Sequence, residues 1–138
     1  ALDLSAAVTG LLVNEVEATA LSGRHVHEAD EALDAGRELL GKGPRFVVVT
    51  LGRAGAAVVS GDGAEVVPGY AVTPVDTTAA GDTFSGALGV ALAEGRDLPE
   101  AVGFANAGAA LSVTRMGAQP SIPRREEIDA FLSQQSKG

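Results

Sequence analysis

The chain has 138 residues, of which 46% are apolar and 20% charged, with a net charge of −8 and no cysteine. That is room for one modest domain with its own core. The acidic balance argues against a broad nucleic-acid or anionic-membrane footprint, and the lack of cysteine excludes disulfides and thiolate metal sites. A small anionic ligand remains compatible, because backbone amides bind phosphate without net positive charge. No apolar run reaches the ~18 residues of a spanning helix. Asp3 interrupts the start and no basic segment precedes it, so no signal peptide is expected. The chain opens without Met and is expected to be a piece of something longer, in a cytoplasmic setting.

In chain order, LLV at 11–13 ends at Asn14 and reads as a buried strand. EVEATALSG (15–23) is a short helix closed by Gly23. HEADEALDAGRELLGKG (27–43) places apolar residues at helical spacing (Ala29, Ala32, Leu33, Ala35, Leu39, Leu40) and ends at Gly41 and Gly43. RFVVVTLG (45–52) is apolar throughout, as expected for a strand buried on both faces. AAVVS (56–60) and AEVVPGY (64–70) flank GDG (61–63), a hairpin signal. A helical pattern runs from Thr83 to Glu94, breaks at 95–97, and resumes with Pro99 in its first turn to about Thr114. MGAQPSIP (116–123) reads as a loop and REEIDAFLSQQ (125–135) as a last amphipathic helix. The order predicts an α/β domain, a central mostly parallel sheet flanked by helices. His25 and His27 read as surface residues, and the acidic side chains of the 27–43 helix as a solvated face.

The chemistry concentrates in VDTTAAGDTFSG (75–86). One reading is local: small residues allow close packing, Asp82 caps the helix or complements its dipole, and Asp76 with Thr77 and Thr78 forms a turn. The other is functional. The first amides of a helix have no intrahelical partner. With Ala79, Ala80 and Gly81 there, a phosphate can approach them unhindered. Asp82 beside such a cradle suits a general base better than an anion binder, because a carboxylate repels a ground-state phosphate. A cradle plus a base is the minimum equipment for phosphoryl transfer to an alcohol.

VDTTAAGDTFSGAL (75–88) resembles the C-terminal signature of the ribokinase-like, phosphofructokinase-B-type carbohydrate kinases. Three further stretches agree in order and spacing. NEVE (14–17) resembles the family's Asn-x-x-Glu motif, which implies Asn14 near the phosphates and Glu17 holding a hydrated Mg²⁺ through water. TLGRAG (50–55) resembles the segment that wraps the nucleotide, which implies ATP contacts from Thr50, Leu51, Gly52, Arg53, Ala54 and Gly55. TRMGAQPSIP (114–123) resembles the loop beside a monovalent-cation site. The resemblance implies K⁺ held by Asp76, Thr78, Ser112, Arg115, Gly117 and Ser121, largely through main-chain oxygens. Asn106 matches a position that faces adenine, and Asp76 and Asp82 match positions that contact the sugar. Taken alone, NEVE is an N-capped helix start, TLGRAG a strand-to-hairpin turn, and the last stretch a loop.

The resemblance covers about Leu11 to Leu132 and only the C-terminal part of such an enzyme. It implies that residues 1–138 form the nucleotide-binding and catalytic part of one domain, with the sugar-binding part and lid absent. The expected activity is ATP-dependent phosphorylation of a sugar's primary hydroxyl. GAQPSIPRREEIDAFL (117–132) is closest to the ribose-phosphorylating members, with fructose or adenosine kinases as alternatives. The expected partners are ATP or ADP and a small sugar, without nucleic acid or membrane. A nucleotide-holding fragment without activity of its own is the competing expectation. Removing N-terminal strands would leave an open apolar edge on the sheet, so association with the missing half or self-association is also expected.

Overall fold

A computed structural model describes residues 10–70, 72, 75, 80–114 and 123–137. The chain divides into two compact units, Ala1–Val67 and Pro68–Gly138.

The first unit is a sheet with helices. Strand β1 (Gly10–Asn14) leads into α1 (Glu15–Ser22), α2 (Ala29–Leu40) and then β2 (Phe46–Thr50), β3 (Ala56–Ser60) and β4 (Gly63–Val67). The sheet order is β1-β2-β3-β4. β1 and β2 are parallel, whereas β2–β3 and β3–β4 are antiparallel. The α/β fold is as expected, and the described sheet is mixed rather than mostly parallel, with one parallel and two antiparallel pairs, because the 51–55 turn and the GDG hairpin each reverse the chain. Val47, Val48 and Val49 are all fully buried, which fits a run of β-branched residues with neighbours on both faces. Val47 and Val49 pack with Val13, Ala18, Val26, Ala32, Ala35 and Leu39 into one core. β2 has partners on both sides within this chain, so the edges of the described sheet fall on β1 and β4 rather than on RFVVVT. Gly36 lets α2 approach the sheet: a Cβ there would come 2.8 Å from Cγ2 of Val59.

The second unit is helical: α3 (Ala80–Ala93), α4 (Leu98–Val113) and α5 (Arg125–Lys137). Asp97 caps α4 by accepting the Glu100 N–H at 2.9 Å. Small residues bring α3 and α4 close, with Ala87, Ala91, Ala101, Ala105 and Gly108 on buried surface. A Cβ at Gly108 would lie 3.1 Å from Cδ1 of Ile128 on α5 and 3.4 Å from Cγ2 of Thr83 on α3. Arg96 stacks over Phe104 at 4.4 Å and pairs with Glu94 and Asp129, while Arg125 reaches Glu94 at 2.7 Å. These contacts tie the α3–α4 turn to α5.

α3 begins at Ala80, three residues before the expected start at Thr83. This removes Asp82 as a cap and makes it the third residue of the helix. Gly81 and Asp82 lie within the first turn.

Candidate active site

In the first unit the motif residues gather at the carboxyl ends of two parallel strands. The register pairs Asn14, the last residue of β1, with Thr50, the last of β2. Open α/β sheets bind ligands in this position. Asn14 Oδ1 accepts the N–H of Glu17 at 2.8 Å, and Glu17 Oε1 accepts the N–H of Asn14 at 3.0 Å. NEVE is therefore a capping box at the start of α1. Both side chains are exposed. The cap uses one oxygen of each and leaves the Asn14 amide nitrogen and the second Glu17 oxygen for other work. A lone exposed carboxylate with an uncommitted oxygen suits Mg²⁺ held through waters, an ion that keeps several of them and takes few protein ligands. Among the described residues no group of three or more His, Asp or Glu side chains forms a direct metal site.

After β2 the chain turns tightly. Leu51 N–H donates to Gly55 O at 2.8 Å, Ala54 N–H to Leu51 O at 3.2 Å, and Gly55 N–H to Gly52 O at 3.1 Å. Gly52 and Gly55 have φ of 61° and 109°, a region that disfavours a side chain. No atom lies within 4 Å of where a Cβ would sit on Gly52, so its need for glycine is conformational and its surroundings are open. Leu51 is buried, and Thr50 Oγ1 makes a long contact with Val13 O at 3.4 Å. The side chain of Arg53 lies outside the described residues.

In the second unit Ala80, Gly81 and Asp82 form the first turn of α3, where the N–H groups lack intrahelical acceptors. Gly81 and Asp82 are exposed, and nothing lies within 4 Å of a Cβ built on Gly81. Asp82 is therefore exposed within the first turn, beside a Gly81 with free space around it among the described residues. Two buried hydroxyls occur close by in the sequence or the packing. Thr83 Oγ1 and Ser112 Oγ have no hydrogen-bond partner among the described residues, although their residues are 5% and 0% exposed. The resemblance implies Ser112 at the cation site, largely through main-chain oxygens. Thr83 is not among the residues the resemblance implies, and its one signal is a hydroxyl residue beginning an Ala/Gly-rich helical stretch. Val75 N–H donates to Val113 O at 2.6 Å, which ties the segment entering 76–79 to the end of α4. An orphaned buried hydroxyl at a helix C-terminus fits a K⁺ site of neutral oxygens.

Asn106 is buried, and its Nδ2 donates to Pro68 O at 3.1 Å. This bond fastens the 68–70 segment to α4, a structural task that the sequence did not indicate. Ala79, Asp76, Thr78, Arg115, Gly117 and Ser121 lie outside the described residues.

Comparison with known proteins follows the same lines. Residues 1–125 match the description "pfkB family carbohydrate kinase". The chain belongs to that family. Among family relatives, the ribokinase of Haemophilus influenzae is 43% identical over 119 residues, which are 86% of this chain and 39% of the relative. A deoxyribokinase of Salmonella typhi is 37% identical over 120 residues, 87% of this chain and 39% of the relative. Fructokinase-1 of Oryza sativa is 37% identical over 123 residues, 84% and 37%. The Arabidopsis thaliana ribokinase solved with ribose and ATP superposes with a TM-score of 0.84 at 34% identity, covering 91% of this chain and 41% of that one. An Escherichia coli structure in complex with ATP and Mg²⁺ gives 0.77 at 32% identity, covering 92% and 40%. Escherichia coli phosphofructokinase-2 with potassium gives 0.77 at 29% identity, covering 91% and 41%. The chain thus spans about two fifths of the length of the family members it matches. No described helix is long and apolar enough to cross a membrane.

Proposed function

We propose that this chain carries the phosphate-handling part of a sugar kinase that transfers the terminal phosphoryl group of ATP to the primary hydroxyl of D-ribose. The observation that carries the reading is the first turn of α3, where exposed amides, an unobstructed Gly81 and the Asp82 carboxylate share one turn. In this reading Asp82 takes the proton from the sugar hydroxyl as its oxygen attacks phosphorus in line. An O–P bond forms, the bond to the ADP oxygen breaks, and ADP leaves. The amides of Ala79, Ala80, Gly81 and Asp82 stabilise charge on the transferring group, aided by the helix dipole. Asn14 and residues 50–55 hold the nucleotide, and Asn106 supports the adenine side. Glu17 holds hydrated Mg²⁺ through water, an ion that neutralises phosphate charge when bound. Asp76, Thr78, Ser112, Arg115, Gly117 and Ser121 hold K⁺. Asp76 also contacts the sugar. ATP as donor makes the cytoplasm the setting.

Ribose is favoured by the similarity to ribokinases, while deoxyribose and fructose are the acceptors suggested by the other relatives. A second reading, a nucleotide-holding half-site without turnover, is favoured by the chain's share of its relatives' length, 39%. The outer edge on β1 supports association with a further strand, from a second copy or from the missing half. The test is ADP release with ATP, Mg²⁺ and K⁺, comparing ribose, 2-deoxyribose, fructose, adenosine and no acceptor, beside calorimetric titration of ATP. Ribose-dependent release supports the kinase reading. ATP binding with no release supports the half-site. Neither binding nor release would overturn both.

A further inference from the structure

We propose that His25 and His27, on the connection between α1 and α2, together bind one divalent transition-metal ion, Cu²⁺ by preference, with water completing its coordination. The proposal does not rest on the kinase reading.

Three observations converge. His25 and His27 are exposed while Val26 between them is buried, so the two imidazoles emerge on one side of the chain. Their ring centroids lie 4.3 Å apart, at an interplanar angle of 79°. Two imidazoles bound to one ion at about 2.0–2.1 Å place their centroids about 4.5 Å apart at a right angle and about 5.2 Å apart at a tetrahedral angle. The observed spacing is close to the right-angle one. The second observation is a fixed backbone. Arg24 N–H donates to Ser22 Oγ at 3.1 Å, Val26 N–H to Thr19 Oγ1 at 3.1 Å, and His27 N–H to Glu31 Oε1 at 2.8 Å. Ligands held in place beforehand lose less freedom on binding. The third is charge. The Glu31 carboxyl is held below its ordinary value by the N–H groups of His27 and Glu28 and, to a smaller extent, by the two imidazoles, so a negative charge stands near the pair. Arg24, next in the chain, is drawn onto Glu38 at 3.1 Å.

The chemistry selects the ion. Neutral imidazole suits Cu²⁺, Ni²⁺ and Zn²⁺, whereas Mg²⁺ and Ca²⁺ take oxygen ligands. A right-angle pair fits the square or octahedral positions of Cu²⁺ and Ni²⁺ better than tetrahedral Zn²⁺, and Cu²⁺ stands highest in the affinity order. Glu31 serves as a neighbouring charge and not as a ligand. Its Oε1 is taken by two backbone N–H groups, and no three such side chains form a metal site among the described residues. Two protein ligands make an exchangeable site rather than a structural one. The alternative is a plain edge-to-face contact between two exposed rings, and the test separates it from the ion site.

The experiment is calorimetric titration of the full chain, free of any histidine tag, with Cu²⁺ and with Zn²⁺, beside the electron paramagnetic resonance spectrum of the Cu²⁺ complex. The chain has only these two histidines and no cysteine, so no other imidazole or thiolate competes. The wild type should take one Cu²⁺, more tightly than Zn²⁺, with coupling to two imidazole nitrogens. His25→Ala and His27→Ala should each weaken Cu²⁺ by at least about tenfold and leave one coupled nitrogen, since loss of a mere supporting group already costs about 10–100-fold. Both side chains are exposed, so urea midpoints of the variants should hardly move, which separates a lost ligand from a damaged fold. A wild type that binds no Cu²⁺, or that binds Zn²⁺ more tightly, would overturn the proposal. So would a Cu²⁺ affinity that survives replacement of both histidines.

Discussion

In the first unit, the NEVE motif closes on itself. Asn14 and Glu17 exchange two hydrogen bonds, and the turn after β2 is held by three backbone bonds of its own. In the second unit, Ala80, Gly81 and Asp82 show no such reciprocal bond among the described residues. Amides at a helix start lack intrahelical acceptors, Asp82 is exposed, and Thr83 Oγ1 and Ser112 Oγ are buried without a hydrogen-bond partner among the described residues. A motif that satisfies its own polar groups would be kept by folding alone. A motif that leaves them unsatisfied reduces stability by itself, and a ligand is what would compensate. The second unit therefore points to function more strongly than the first, although both match the family.

The largest effect expected from this contrast is at Asp82. Asp82→Asn keeps the shape and removes the base, so sugar-dependent turnover should fall by ~10²–10⁴-fold with ATP affinity retained. Calorimetry beside the ADP-release assay reads both. Equal loss of binding and turnover would mean that Asp82 holds the nucleotide and does not move a proton.

The units also differ in how they use glycine. Gly36 sits against the stiff side chain of Val59, whereas Gly86 on α3 faces open space. Overpacking of about 1–3 kcal/mol should outweigh the helix-propensity gain of about 1 kcal/mol in Gly36→Ala. Gly86→Ala should instead gain about 0.5–1 kcal/mol. Urea unfolding midpoints check both. Opposite signs from one substitution would support the packing described for each unit, and a stabilising Gly36→Ala would contradict the tight approach of α2.

A smaller effect tests whether the capping box is only structural. Asn14→Ala should cost about 1 kcal/mol through the lost cap, while Asn14→Ser keeps an acceptor and most of that stability. If the Asn14 amide also meets ATP, the serine variant should bind ATP more weakly while unfolding like the wild type. Unchanged ATP binding in Asn14→Ser would leave NEVE with its capping role alone.

Much of the fold was legible because it is written locally. The valines of RFVVVT announce a strand buried on both faces, GDG announces the hairpin, and Gly23 and Asp97 mark helix ends. The sequence pattern places the start of α3 three residues late because Ala80, Gly81 and Asp82 carry no apolar period and a glycine argues against helix. The candidate site was visible as a list of residues through the family resemblance, but its physical state was not. Nothing in the sequence says that Asn106 bonds a carbonyl 38 positions away. Nor does it say that Ser112 is sealed from solvent without a partner, since burial depends on which helices meet.

The finest distinction between the units is their response to pH. In the first, Glu31 accepts the N–H groups of His27 at 2.8 Å and Glu28 at 3.0 Å, and these bonds hold its carboxyl below the ordinary 4.5. A carboxyl lowered on folding adds stability that is present above its unfolded value and is lost as pH falls through the folded one. In the second, Tyr70 lies edge-on to Phe131 at 5.2 Å, and burial pushes its phenol above 10.0. Here the folded state holds its proton more tightly, so stability is full below the unfolded value and declines as pH rises through the folded one. Glu31→Gln should therefore flatten only the acid limb of the stability profile, because glutamine can still accept at this helix position. Tyr70→Phe should flatten only the alkaline limb. Midpoints measured across pH for the two variants read each unit separately, and a variant that moved the opposite limb would break the assignment of that limb to its unit.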